Sequence, residues 1–132
     1  MRIVNGIVQS IALGKSKVKG EKEVMFRVKE ADSDVIWFPR VSFSSTKINA
    51  DGNANNGKTM CDVSTTRIAK VLGVDSTLKA VAEGLVKLES AKVQVLVGTR
   101  TNPETGVDVE DANSIVFAGE KPPSMAVDEW VA

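Results

Sequence analysis

The chain has 132 residues, with no histidine, no tyrosine and a single cysteine, Cys61. Without histidine, neither a Ser-His-Asp nor a Cys-His catalytic site can be assembled, and a zinc site lacks its commonest ligands. One cysteine cannot form an intrachain disulfide, which is typical of proteins in reducing compartments. The sequence also contains no P-loop and no G-x-G-x-x-G pattern. We therefore predict a protein that is not an enzyme and that holds no metal and no cofactor.

Long hydrophobic runs are also missing. No apolar stretch approaches the roughly 18 residues of a membrane span, and the N-terminal residues lack a signal-peptide pattern. Apolar residues make up 42% and charged residues 26% of the chain, which is ordinary for a globular domain that buries a core of its own. These features predict an intracellular protein with no membrane partner.

The formal net charge is zero, but the charges are unevenly distributed. Residues 1–49 contain nine Lys or Arg against five Asp or Glu, a balance of +4. Residues 50–132 contain eight against twelve, a balance of −4. Because the distribution matters more than the sum, a net charge of zero does not exclude a polyanionic partner for the basic N-terminal part.

Aromatic residues are scarce, but three of the four Phe and one of the two Trp lie between Met25 and Ser45. The alternation of apolar and other residues from Val24 to Lys29 predicts a half-buried strand. After a polar turn, a second strand is predicted over residues 35–43. Its core face would carry Val35, Trp37, Val41 and Phe43, and its other face Ile36, Phe38, Arg40 and Ser42.

The second of these faces places an aromatic ring beside cations. Phe38 lies next to Arg40, and Arg27 and Lys29 occupy the matching phase of the preceding strand. Such a surface suits a single-stranded nucleic acid, because the ring can stack on a base while the cations contact phosphates. The alternative is that Phe38 belongs to the core and that the cations are simply solvated.

Two loops carry further cations. The glycine-bounded stretch Gly14 to Glu23 predicts a hairpin tip whose lysines either clamp a phosphate backbone or only keep the tip soluble. The Asn- and Gly-rich stretch from Thr46 to Met60 predicts a long loop. The loop cations that we predict as phosphate contacts are Lys15, Lys17, Lys19, Lys22 and Lys47.

Two helices are predicted after the long loop. The first would begin at Ser64 or Thr65 and end at Leu72, before Gly73. The second, the main helix, would cover residues 75–90 with an apolar stripe on one side.

The two helices partly resemble a helix-turn-helix, which offers an alternative interpretation as a DNA-binding domain. That interpretation requires exposed cations on the second helix, and Lys79 and Lys87 are the candidates. The sequence departs from the motif at Lys79, where an apolar residue is expected.

Strands are then predicted over residues 91–99 and 107–118, followed by a stiff Pro122-Pro123 spacer. The final residues include Asp128, Glu129 and Trp130, and this tip suits a partner with a pocket for the ring and a basic rim for the carboxylates. The tip could instead pack on its own domain. We divide the chain into a β-rich domain, residues 1–119, and an extended tail, residues 120–132.

The order of three strands, long loop, main helix and two strands resembles phage- and bacterial-type single-stranded-DNA-binding proteins. These combine an OB-fold with an acidic tail that contains an aromatic residue. The resemblance implies a mainly β (α+β) fold, a five-stranded OB-like barrel with one main helix between strands 3 and 4. It implies a phage-encoded or bacterial protein that binds single-stranded DNA, or RNA, without sequence specificity in replication, recombination or repair. It is also compatible with a homo-oligomer.

The resemblance further implies a binding site on the second and third strands, flanked by the two loops. The tail would recruit replication or repair proteins and compete with DNA for the basic groove. The implied nucleic-acid contacts are Lys15, Lys17, Lys19, Lys22, Arg27, Lys29, Trp37, Phe38, Arg40 and Lys47.

A viral coat or decoration subunit is a further alternative. Such a protein would use the same strands to pack against copies of itself and the tail to reach a neighbour, and its mark would be a large apolar patch or an ordered oligomer.

Overall fold

The computed structural model describes residues 2–15, 17, 20–46, 58–120 and 127–131. Within these residues the fold is mainly β, as the sequence predicts: six antiparallel strands form one sheet in the order β3-β2-β1-β5-β6, and β4 also pairs with β2. The strands are β1 Arg2–Lys15, β2 Lys22–Glu30, β3 Ile36–Trp37, β4 Arg40–Ser42, β5 Lys92–Thr101 and β6 Asp108–Phe117. The helices are α1 Met60–Leu72, α2 Leu78–Gly84, which continues as a 3-10 turn Leu85–Leu88, and α3 Val127–Val131.

The long strand β1 changes its phase at a bulge. Val8 pairs with Val28, but Ser10 pairs with Arg27, so one residue is inserted between them. Before the bulge the even-numbered residues face the core, and after it the odd-numbered ones do. Gly6 allows a close approach of β1 and β2: a Cβ there would lie 2.6 Å from Val28 Cγ1 and 2.8 Å from the Lys29 carbonyl oxygen, so only glycine permits this packing.

The predicted third strand over residues 35–43 is interrupted. Phe38 and Pro39 separate β3 from β4, because proline has no N–H to donate to the ladder. The register is nevertheless the same on both sides: Val28 pairs with Trp37, and Met25 pairs with Arg40. β3 and β4 therefore act as one strand with a break in the middle.

The sheet is strongly curved around its core. Phe26 on β2 and Phe117 on β6 make an edge-to-face contact, with centroids 5.3 Å apart, although β1 and β5 lie between their strands. The two edges are not joined into a closed barrel: among the described residues, no backbone hydrogen bond links β4 to β6. The closed five-stranded barrel is thus not confirmed, whereas the mainly β class is.

The α1 helix crosses the gap between these two edges. The Ser64 hydroxyl donates to the carbonyl of Ser42 on β4 at 2.6 Å. Arg67, one turn later, donates to the carbonyl of Ile115 on β6 and forms an ion pair with Glu120 at 2.7 Å. Since Glu120 also accepts from the Phe117 N–H, the packed part of the chain extends at least to Glu120, one residue beyond the predicted domain boundary.

The helices differ from the prediction of one main helix. α1 begins at Met60, several residues earlier than expected, because Thr59 and Asp62 form a reciprocal capping box. Its end before Gly73 agrees with the prediction, and Gly73 has a positive φ of 69°. The second helix is shorter than expected and tightens into the 3-10 turn after Gly84. In the described part of the chain, no helix combines the length and hydropathy needed to cross a membrane.

Candidate nucleic-acid interface

The face of the sheet that points away from the core mixes apolar and cationic side chains. We call it the outer face. Alternation along β1 and β2 leaves every second residue outside the core, and the strand register aligns these residues into rows. One row runs across four strands through Ile36, Lys29, Ile7 and Lys92. The outer face comprises Ile7, Ser10, Met25, Arg27, Lys29, Ile36, Phe38, Arg40 and Lys92.

Near the β3/β4 edge of this face, Arg27 and Phe38 form a cross-strand pair. The common register of β3 and β4 places Phe38 opposite Arg27. The Arg27 guanidinium carbon lies 5.7 Å from the centroid of the Phe38 ring, within the range of a cation–π contact. Gln9 at the bulge accepts a hydrogen bond from Arg27 Nε at 2.9 Å. Phe38 remains 45% exposed, so it is not a core residue.

Arg40 extends the cationic surface along the same edge. Its side chain is 61% exposed, and its guanidinium lies 3.8 Å from the Glu23 carboxylate. An ion pair at this distance and exposure is weak, so the guanidinium can exchange Glu23 for another anion at small cost. Lys92, on the opposite side of the face, is exposed as well.

Lys29 lies in the predicted row, but its ammonium is engaged elsewhere. Lys29 Nζ donates to the carbonyl of Ser33 at 2.6 Å and to that of Glu30 at 3.3 Å. Both acceptors belong to the end of β2 and the turn before β3. Lys29 therefore stabilises this turn, and we do not count it among the anion-binding groups.

Trp37 is separated from Phe38 by the alternation of the strand. It pairs with Val28 on the core side, and its indole N–H donates to Glu30 at 2.8 Å. The guanidinium of Arg2 lies 5.7 Å from its ring centroid and bonds Glu110 at 2.7 Å. The hydrogen bond from Ser33, together with that from Trp37, holds the pKa of Glu30 below its ordinary value. Trp37 is thus part of a polar cluster at the end of the core. It lies on the other side of the sheet from Phe38 and does not contribute a second stacking ring to the outer face.

The loop lysines are also not united with Phe38. Lys15 and Lys22 are paired in the register and share the phase of Leu13 and Val24, which is the core-side phase beyond the bulge. They line a groove against α2 and not the outer face. Lys17 is exposed in the hairpin loop. The predicted contacts Lys19 and Lys47 lie outside the described residues.

The predicted partner-binding tip forms the short helix α3. Trp130 is 75% exposed there. Asp128 and Glu129 belong to the same helix, but their side chains are outside the described part. Their charges are known from the sequence alone.

Ile7 and Lys92 are among the outer-face residues that the sequence does not predict. They are neighbours only because β1 pairs with β5, which begins some eighty residues later in the chain. No local pattern carries that pairing. Gln9 was missed because the bulge that directs it toward Arg27 leaves no signature in the alternation of β1.

The structure meets only part of what the helix-turn-helix interpretation requires. Lys79 and Lys87 are exposed, as that interpretation needs. However, α2 has seven residues, and Glu83 lies 3.9 Å from the Lys79 ammonium. A helix of two turns with a carboxylate beside its first cation presents little positive charge to a DNA groove.

Comparison with known protein families finds no family model that matches the chain, and no curated protein matches it either. Among the described residues, no three His, Cys, Asp or Glu side chains are grouped so that they could hold a metal ion. The outer face is therefore the feature from which a function can be inferred.

Proposed function

We propose that the protein binds single-stranded nucleic acid without sequence specificity through the outer face. The observation that carries this proposal is the exposed pair of Arg27 on β2 and Phe38 at the break between β3 and β4, on the outer face of the sheet. A ring backed by a guanidinium offers a stacking surface that accepts any base, and Arg40 and Lys92 lie on the same face to meet phosphates. In this role the protein would cover single strands during replication, recombination or repair.

The strand order supports an OB-like barrel as the fold behind this function. If β3 and β4 count as one interrupted third strand, the helices lie between strands 3 and 4, and the sheet order becomes 3-2-1-4-5. OB-folds are partly open five-stranded barrels that bind oligonucleotides on the face of strands 2 and 3. Arg27 and Phe38 belong to those two strands.

The expected affinity has two parts. Stacking of one base on Phe38 contributes about 1–3 kcal/mol. Phosphate contacts by Arg27, Arg40 and Lys92 would release counterions, with a slope of about −0.7 in log K against log salt for each contact on a single strand. Three contacts give a slope of about −2, so binding should weaken clearly between low and moderate salt.

The direct test is fluorescence anisotropy of a labelled oligo-dT of about 30 nucleotides, longer than the roughly 4–16 nucleotides that one OB-fold covers. The full chain is titrated at low and at moderate salt, with a duplex of the same length as the comparison. We expect binding to the single strand that weakens with salt and exceeds binding to the duplex. The absence of binding at low salt would rule out this function.

A further inference from the structure

A groove of about 390 Å³ lies between the far end of the β1–β2 hairpin and α2. Its walls are largely apolar, and two of the wall leucines are unusually exposed to solvent: Leu13 is 64% exposed and Leu78 is 38% exposed. Lys15 and Lys22 lie at its rim, together with Glu23, whose carboxylate is paired with Arg40. We call it the hairpin groove; its apolar wall includes Leu13, Val24, Phe43, Leu78, Val81 and Leu85.

The hairpin groove is separate from the outer face. The bulge after Val8 turns Leu13 and Lys15 to the core side of the sheet, whereas Arg27 and Phe38 point to the other side. A ligand in the groove therefore contacts neither Arg27 nor Phe38. An occupant would meet Glu23, the ion-pair partner of Arg40, but not the stacking pair itself.

The chain itself contains a segment of matching chemistry in α3. Val127, Trp130 and Val131 are 73%, 75% and 65% exposed. Their i, i+3, i+4 spacing places them on one side of a helix. A helix of five residues is not stable by itself in water, so its apolar side requires a surface to pack on. Between these residues the sequence has Asp128 and Glu129, opposite in charge to Lys15 and Lys22.

We propose that the hairpin groove of one copy of this chain binds the α3 helix of a second copy. Trp130 would enter the apolar part between Leu13 and Leu78, because a buried Trp contributes the largest apolar area of any side chain in the segment. The acidic pair would face the lysines at the rim. The charge of this segment is opposite to that of Lys15 and Lys22, which favours it over a basic peptide.

A second copy suits the groove better than the chain's own tail. The α3 side chains are exposed, so the helix does not occupy its own groove.

The test is the mass of the full-length protein by sedimentation equilibrium over a range of concentrations. We expect association of the wild type, and at least a tenfold weaker association constant for Trp130→Ala and for Leu78→Glu. Val86→Glu is the matched control, because Val86 is 63% exposed but does not line the groove. Thermal unfolding of each variant verifies that the fold is kept.

A mixing experiment then identifies the two contact partners. Trp130→Ala keeps an intact groove, and Leu78→Glu keeps an intact tail, so an equimolar mixture should associate more strongly than either variant alone. A wild type that stays monomeric, or association that is unaffected by both substitutions, would overturn the proposal. The oligo-dT titration of Leu78→Glu should match that of the wild type, so that failure of this proposal and failure of nucleic-acid binding can be told apart.

Discussion

Ser64 and Arg67, one turn apart on α1, donate hydrogen bonds to opposite edges of the sheet, to the carbonyls of Ser42 and Ile115. These carbonyls belong to β4 and β6, between which the described residues make no backbone hydrogen bond. The helix thus supplies side-chain donors where a closed barrel would have a ladder. It also covers two strand edges that would otherwise invite pairing with another chain.

Arg67→Met should therefore destabilise the protein. The substitution leaves the Ile115 carbonyl without this donor, and it leaves the Glu120 carboxylate, 20% exposed, without its counterion. We expect a loss of about 1–3 kcal/mol in the free energy of unfolding, measured by urea denaturation. The control is Arg100→Met, which breaks an ion pair with Asp111 whose side chains are 62% and 57% exposed. It should cost no more than about 1 kcal/mol, and equal losses in the two variants would argue against the bridging role of Arg67.

The same ion pair predicts a pH dependence of stability. Partial burial of Glu120 acts to raise its pKa. The hydrogen bonds from Arg67 and from the Phe117 N–H, together with the charge of Arg67, outweigh this effect and hold the pKa of Glu120 below its ordinary value of 4.5. The unfolded chain therefore binds the proton more readily than the folded one. The contribution of Glu120 is present above about pH 4.5 and is lost as the pH falls through the folded pKa.

Urea denaturation between pH 7 and pH 3 tests this. The wild type should lose stability below about pH 4.5, and Glu120→Gln should lose less over the same interval because it cannot be protonated. Glu110, whose pKa is lowered by its hydrogen bond to Arg2, contributes to the fall in both proteins. Parallel curves for the two proteins would show that Glu120 is not a source of the acid sensitivity.

The sequence was sufficient to predict which side chains of β2 lie on the outer face. The alternation from Val24 to Lys29 is local, and it correctly turned Arg27 away from the core. Lys29 also lies on this face, but its ammonium bonds two carbonyls that the shape of the following turn brings to it, which the sequence does not indicate. Pro39 indicates the break in the third strand from the sequence alone, because proline has no N–H to donate to a ladder.

The side of the sheet on which the hairpin lysines lie could not be predicted from the sequence. A single inserted residue after Val8 reverses the phase of everything that follows on β1, and so decides whether Lys15 points to the outer face or to α2. Nothing in the composition of β1 indicates where such an insertion falls. The absence of pairing between the described residues of β4 and β6 could not be predicted either, since it depends on the curvature of the whole sheet.

Phe38→Ala should weaken binding to oligo-dT without unfolding the protein. Loss of one stacked base costs about 1–3 kcal/mol, which is roughly a 5- to 150-fold change in dissociation constant. The double variant Phe38→Ala with Arg40→Ala should weaken it at least tenfold. Val107→Ala is the matched control, because Val107 is an apolar residue 58% exposed outside the outer face. Normal binding by the double variant would place the site elsewhere.

Arg27 and Lys29 should differ sharply, although they are cations two residues apart on one strand. Arg27→Met removes a proposed phosphate contact, so we expect weaker binding to oligo-dT and a salt slope reduced in magnitude by about 0.7. Lys29→Met removes the donor to the Ser33 and Glu30 carbonyls, so it should lower the thermal stability while the salt slope stays unchanged. Anisotropy titrations at four salt concentrations, with a melting curve for each variant, separate the two roles. If both variants reduced the salt slope equally, Lys29 would contact phosphates as Arg27 does. Its hydrogen bonds to the turn would then not exclude it from nucleic-acid binding.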